Sequence, residues 1–290
     1  MRGRGDADRR DTRNLTHLER IVQSRYDAAM RLMRETRCSS SGSVGTARPV
    51  NTWAGDPTAD RFEQFWTLRA VVEGAPDART GYVCDVRELD AMLRDVVAVR
   101  LRAGCGAVAP ALLDAFVAAR AARPASVALR KISLAVSPFT RFEVCAEEGD
   151  VVRLTRSYEF SAAHRLYCAE LSDEQNQLLF GKCSNPHGHG HNYVVEVTVG
   201  GTVDPDRGTI VDLPGFDRTV QESVILPFDH KNLNVECPEF AALNPSVENI
   251  ARVIYDRLAE ALTGVALLNI RVWETPKTYA DYGPADASNA

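Results

Sequence analysis

The stretch Cys183-Ser184-Asn185-Pro186-His187-Gly188-His189-Gly190-His191-Asn192-Tyr193 constrains this chain more than any other. Three of the chain's six histidines fall inside it. Val194-Val195-Glu196-Val197-Thr198-Val199 follows directly, and its alternating β-branched pattern predicts a strand. Residues two apart in an extended chain share a face, so His189 and His191 project together at a spacing that suits two imidazoles on one metal ion. Gly188 and Gly190 let the backbone pass close by without side-chain crowding. Upstream, Ser157-Tyr158-Glu159-Phe160-Ser161-Ala162-Ala163-His164 reads as a second strand with a histidine at its end. If the two strands pair, His164 completes a three-histidine set. Three nitrogens suit zinc and leave a fourth position open for water or substrate. The competing reading is a solvated cluster of loop histidines.

Four further segments sit in a fixed order around this core. They are Phe160-Ser161-Ala162-Ala163-His164-Arg165-Leu166-Tyr167, Phe180-Gly181-Lys182-Cys183, Phe228-Asp229-His230-Lys231-Asn232-Leu233 and Val272-Trp273-Glu274-Thr275. Together with the histidine motif they resemble the 6-pyruvoyltetrahydropterin synthase family, whose wider membership includes the 6-carboxytetrahydropterin synthases of queuosine biosynthesis. The resemblance runs from about Arg156 to Tyr282. It implies an α+β tunnelling fold (T-fold), an antiparallel sheet with two helices on one face, in subunits that assemble into oligomers. It implies Zn2+ on His164, His189 and His191, with Cys183 as proton acceptor and Asp229 and His230 in its relay. Glu274 is implied as the pterin anchor and a member of the relay, and Ser246, Val247 and Glu248 match a stretch that helps hold the pterin. The implied reaction is loss of triphosphate from 7,8-dihydroneopterin triphosphate. The product is 6-pyruvoyltetrahydropterin or, on the queuosine branch, 6-carboxy-5,6,7,8-tetrahydropterin. The five residues between Cys183 and His189 match the pyruvoyl type. Two positions depart from the pattern: His187 stands where asparagine is usual, and Val247 replaces a small or hydroxyl-bearing residue. A non-catalytic zinc-binding scaffold, or a subunit of a pterin or queuosine assembly, is the alternative.

The residues themselves leave several roles open. A free cysteine is commonly a buried inert thiol, yet Cys183, beside a zinc site and a cationic neighbour such as Lys182, could be held as thiolate. Asp229 and His230 are sequence neighbours, so contact between them needs a turn. Glu274 continues the strand face of Leu268, Ile270 and Val272, and a carboxylate on such a face needs donors. A pterin ring N–H and exocyclic amine would supply them. His187 is set outside the metal group because Pro186 breaks the strand before it.

Elsewhere the pattern is that of a globular chain, 45% hydrophobic and 25% charged. A net charge of −5 argues against a nucleic-acid partner. No apolar run is long enough to span a membrane, and the charged N-terminus lacks a signal-peptide core. Seven scattered cysteines without a C-x-x-C pair suit a reducing cytoplasm. We read residues 1–60 as a tail, a helix from Asn14 to about Arg37 and a linker; 61–150 as a divergent T-fold-like half; and 151–290 as the catalytic half. The middle section takes its name from an ungapped match. Gly74, Asp77, Gly81, Val83 and Asp85 align with Gly201, Asp204, Gly208, Ile210 and Asp212, and Val127–Pro138 parallels Val265–Pro276. This predicts a tandem duplication. The first copy has no histidine between Met33 and Glu159 and carries Val136 where the second has Glu274, so it is expected to bind no zinc and to act as a scaffold. In the second copy the patterns predict strands at about Val151–Ala163, Asn192–Gly201 and Ala266–Thr275. A polar loop is expected over Leu171–Cys183, a short strand over Thr209–Asp212, and helices from about Pro214 and after Ser246.

Overall fold

The computed structural model describes residues 29–40, 65–104 and 107–284. The alternating runs recognised in the sequence become long strands of one sheet. Its order is β1 (Met30–Ser39), β2 (Phe65–Gly74), β3 (Ala128–Ser137), β4 (Thr140–Cys145), β5 (Val151–His164), β6 (His189–Thr202), β8 (Ala266–Thr275) and β9 (Thr278–Tyr282). Every neighbouring pair on this path is antiparallel; the two-residue β7 (Lys231–Asn232) adds a short parallel pairing to β5. Helices fill the two long β-to-β connections. In the first, α1 (Val86–Ala91) passes through a π-helical turn into α2 (Ala98–Ala103), followed by α3 (Val108–Ala122). In the second, after α4 (Asp173–Phe180) between β5 and β6, come α5 (Leu213–Val220), another π-helical turn, α6 (Leu226–Phe228) and α7 (Leu233–Glu236). The longest, α8 (Val247–Ala261), follows. The apolar positions of both helix groups and one face of the sheet form a continuous buried cluster. It runs from Leu68 and Leu134 through Leu154 and Val197 to Ile254 and Ile270.

The element order strand, strand, helices, strand, strand runs twice, and the match extends to single hydrogen bonds. Asp77 accepts from the backbone N–H groups of Arg79 and Thr80, and Asp204 accepts from those of Asp206 and Arg207. Gly81 and Gly208 close these turns at φ 73° and 66°, a region that favours glycine. Asp85 and Asp212 then each cap a helix N-terminus. The β2–β3 register slips between Val71 and Val72, and the β6–β8 register between Thr198 and Val199. Arg34 grips Asp90 through two nitrogens, as Arg156 grips Asp217.

Several expectations are corrected. Met30–Ser39 is a strand, where the methionine spacing predicted the end of a helix; the rest of that helix, 14–28, lies outside the described residues, as does nearly all of the linker. The first half therefore begins its sheet at Met30. The polar loop is in part a helix: Ser172 and Gln175 form a reciprocal capping box at the start of α4. Thr209 makes only an isolated bridge to Asp204. A last strand, β9, follows Ala266–Thr275. The slip in the β6–β8 pairing also breaks the parity expected of β8, where Leu267 rather than Leu268 is buried beside Ile270 and Val272.

Candidate active site

The β5–β6 ladder places His164 directly opposite His189 and Ala162 opposite His191. The three imidazoles consequently converge on one face, each offering a nitrogen, with these atoms all within 4.8 Å of one another. His164 Nε2 is 3.2 Å from His189 Nε2. His164 is fully buried, and its Nδ1 lies 2.7 Å from the carbonyl oxygen of Pro245, just before α8. A ring whose Nδ1–H donates to a backbone carbonyl keeps Nε2 as the lone-pair nitrogen, the arrangement that orients a metal-ligating histidine. Buried His189 Nδ1 and His191 Nε2 have no hydrogen-bond partner among the described residues. Burial holds both His164 and His189 below the usual imidazole range, so both stay neutral. A convergent set of three imidazoles with an unmatched nitrogen aimed inward fits a divalent cation such as zinc. Gly188 makes this packing possible: at φ 70° it lies so close to the His164 carbonyl that a Cβ would sit 2.9 Å from the oxygen.

Glu274 joins the cluster from β8. Its carboxylate lies 3.5 Å from His164 Nε2 and 3.7 Å from His191 Nε2. Cys183, at the 3-10 turn Gly181–Ser184, is half-buried. Its thiol is pushed up by burial first and then by the charge of Glu274. These two neighbours favour the protonated thiol.

Asp229 and His230 do make the turn their contact requires. His230 sits at φ 57°, and its Nδ1 is 2.8 Å from Asp229 Oδ2. The pair is fastened to β5, with Ser161 N–H donating to Asp229 and His230 N–H donating back to the Ser161 carbonyl. These bonds, with the Ser161 N–H first, hold the Asp229 carboxyl below the usual range. His230 is largely exposed and lines a groove of about 500 Å³ together with His191 and Asn192. No hydrogen bond joins Cys183 to Asp229 or His230 among the described residues. Ser246 caps α8 by accepting from Asn249 N–H, and Glu248 faces solvent in its first turn. His187 stays outside the metal cluster, in the loop held by Asn185.

Sequence reasoning passed over Tyr193 and Pro245. Tyr193 is fully buried, stacks on Phe160 and places its hydroxyl 3.4 Å from His164 Nδ1. Its two-residue offset from His191 was the available signal. Nothing in the sequence points to a proline carbonyl eighty-one residues away.

A family model described as 6-pyruvoyl tetrahydropterin synthase matches residues 153–285. A 6-pyruvoyl tetrahydrobiopterin synthase of Poecilia reticulata is 45% identical over 44% of this chain and 88% of its own length. The human 6-pyruvoyl tetrahydrobiopterin synthase is 44% identical over 45% of this chain and 90% of its own. A 6-carboxy-5,6,7,8-tetrahydropterin synthase of Aquifex aeolicus is 26% identical over 44% of this chain and 96% of its own. Each of these matches covers less than half of this chain. Relatives this similar over nearly their whole length, together with a family match spanning the residues that build the histidine cluster, place the chain in the 6-pyruvoyl tetrahydropterin synthase family, a family of lyases.

Proposed function

We propose that the second half is a zinc-dependent lyase that converts 7,8-dihydroneopterin triphosphate to 6-pyruvoyltetrahydropterin with loss of triphosphate. The observation that carries this reading is the convergence of three imidazoles beside Glu274 and Cys183. His164, His189 and His191 would hold the ion, which when bound supplies a Lewis acid for side-chain hydroxyls of the substrate. Cys183 takes a proton from a side-chain carbon. Its thiol is raised by burial and by Glu274, so it needs positive charge nearby to act as a base. Asp229 fixes His230 through Nδ1, which leaves Nε2 free to accept or return a proton at the groove lined by His191. Glu274 accepts from the pterin ring N–H and amine, with Ser246 and Glu248 at the rim.

The higher identity to pyruvoyl synthases, and the five-residue gap between Cys183 and His189, support the pyruvoyl product over the carboxy product. The matched turns, caps and register slips support descent of the two halves from one duplicated unit, the first having lost its site. The reading also takes the protein to be a cytoplasmic homo-oligomer. No helix among the described residues is long and apolar enough to cross a membrane.

Incubation with 7,8-dihydroneopterin triphosphate and mass spectrometry of the product test the reaction. A Cys183→Ala protein is expected to keep stoichiometric zinc and lose turnover; full turnover in that variant overturns the assignment.

A further inference from the structure

Among the described residues, His230 is the one non-glycine with a positive φ, at 57°. That conformation is costly for a residue with a Cβ and persists only where the surroundings impose it. Whatever imposes it also decides where the imidazole points. β5 supplies one restraint, through Ser161 N–H to Asp229 and His230 N–H to the Ser161 carbonyl. Glu236 supplies another after the turn, accepting from Asn232 N–H at 2.7 Å and from Lys231 Nζ at 3.2 Å. The segment before the turn is held from α8, by Arg257.

The local sequence explains why a side chain is needed there. Pro227 lies between the π-helical turn Gln221–Ile225 and Asp229. Having no N–H, it cannot make the helical bond to the Ser223 carbonyl four residues back. Arg257 Nη1 donates to that carbonyl at 2.8 Å instead. The same guanidinium lies 4.8 Å from the centroid of the Phe228 ring. Its Nε donates to Glu239 Oε1 at 2.8 Å, and Nη2 donates to the same oxygen. A planar fork can hold acceptors along its edge while an aromatic ring lies against its face, which a flexible ammonium cannot do. Phe228 itself is fully buried, with the rings of Phe160 and Phe240 at centroid distances of 5.9 and 6.0 Å.

We propose that Arg257 is a positioning residue for His230. By fixing Phe228 and the Ser223 carbonyl it sets the Asp229–His230 turn, and so aims the imidazole into the groove shared with His191 and Asn192. The consequence for turnover rests on the reading of His230 as a proton carrier. One helix then serves both parts of the site. The Pro245 carbonyl just before α8 orients His164, and Arg257 in its second half orients His230. Between them lie Phe160 and Tyr193, stacked at 4.9 Å, with the Tyr193 hydroxyl 3.4 Å from His164 Nδ1.

Stability alone does not account for the Arg257–Glu239 pair. Its side chains are 27% and 28% exposed, and ion pairs of this kind add little. Buried Glu239 Oε2 has no hydrogen-bond partner among the described residues, a cost that two apolar side chains would avoid. What the pair provides is a fixed orientation of the guanidinium.

Arg257→Met keeps an apolar stem and removes the guanidinium. In zinc-loaded full-length protein it is expected to leave zinc content and KM unchanged and to lower kcat at least about tenfold, since misplacing a proton carrier costs rate rather than binding. NMR of isotope-labelled histidine gives a second readout that needs no turnover. With Asp229 accepting from Nδ1, neutral His230 should be a single Nδ1–H tautomer in the unsubstituted protein, and a mixture of tautomers in Arg257→Met. Arg257→Lys, which can still donate to the Ser223 carbonyl, should recover part of both. An unchanged tautomer in Arg257→Met overturns the proposal, as does a loss of zinc in proportion to kcat, which would make Arg257 a purely structural residue. Should Arg257→Met fail to fold, an unchanged tautomer in Arg257→Lys overturns it equally. A shifted tautomer with unchanged kcat would uphold the positioning and instead overturn His230 as proton carrier.

Discussion

At the residue scale, the two-residue spacing of His189 and His191 was enough to anticipate a shared face, because side-chain direction in a strand follows parity alone. The lowered titration of His164 and His189 was not legible, since it comes from burial under elements distant in sequence. That burial has a pH consequence. His164 and His189 titrate below their unfolded value in the fold, so the unfolded chain binds more protons as pH falls through about 6.5. Metal-free protein should therefore lose stability as pH drops from about 7.5 to 5.5, in urea melts. A His164→Asn/His189→Asn protein should lose most of that slope, and an identical slope in both would remove burial of these rings as its cause. Glu274→Gln is expected to weaken pterin binding far more than zinc binding, read by calorimetry with each ligand. Equal losses would mean that Glu274 acts on the histidines, which its carboxylate approaches to 3.5 Å, rather than on the pterin.

At the element scale, the helix start after Ser246 was legible in the sequence and the N-terminal strand was not. Asp85, Asp212 and Ser246 cap helices because a short polar side chain before a helix satisfies exposed N–H groups locally. Met30–Ser39 carried a methionine pattern compatible with a helix, yet in the fold Thr36 and Cys38 are buried with the strand parity and Met33 is exposed. Pairing with β2 along ten residue pairs decided the matter, and such pairing overrides weak local propensity. The repeated turns offer a measurement of packing against conformation. Gly81→Ala should cost about 1 kcal/mol for its positive φ alone, since nothing lies within 4 Å of the added Cβ. Gly208→Ala has the same backbone but would place its Cβ 2.9 Å from that of Ala107, and should cost clearly more in urea melts. Equal costs would mean that the contact between the two halves at this turn relaxes freely.

At the scale of the whole molecule, the two halves share one sheet and one core, joined by the β4–β5 ladder over Leu154 and Phe142. They are expected to unfold together. Leu154→Ala, at a fully buried position, should lower stability by about 3 kcal/mol and shift a single transition without splitting it. Two separated transitions, followed by the tryptophans Trp66 in the first half and Trp273 in the second, would show that the halves fold independently.

The sequence alone determined the strand pattern around the histidines, the helix start after Ser246 and the internal match at Gly74–Val86, because each depends on a local residue pattern. Only the tertiary structure decided what those pieces face. It paired β1 into the sheet, set the Pro245 carbonyl on His164, and surrounded the Cys183 thiol with groups that raise it. These outcomes are contacts between distant segments, fixed by strand register and burial, and no local pattern encodes them.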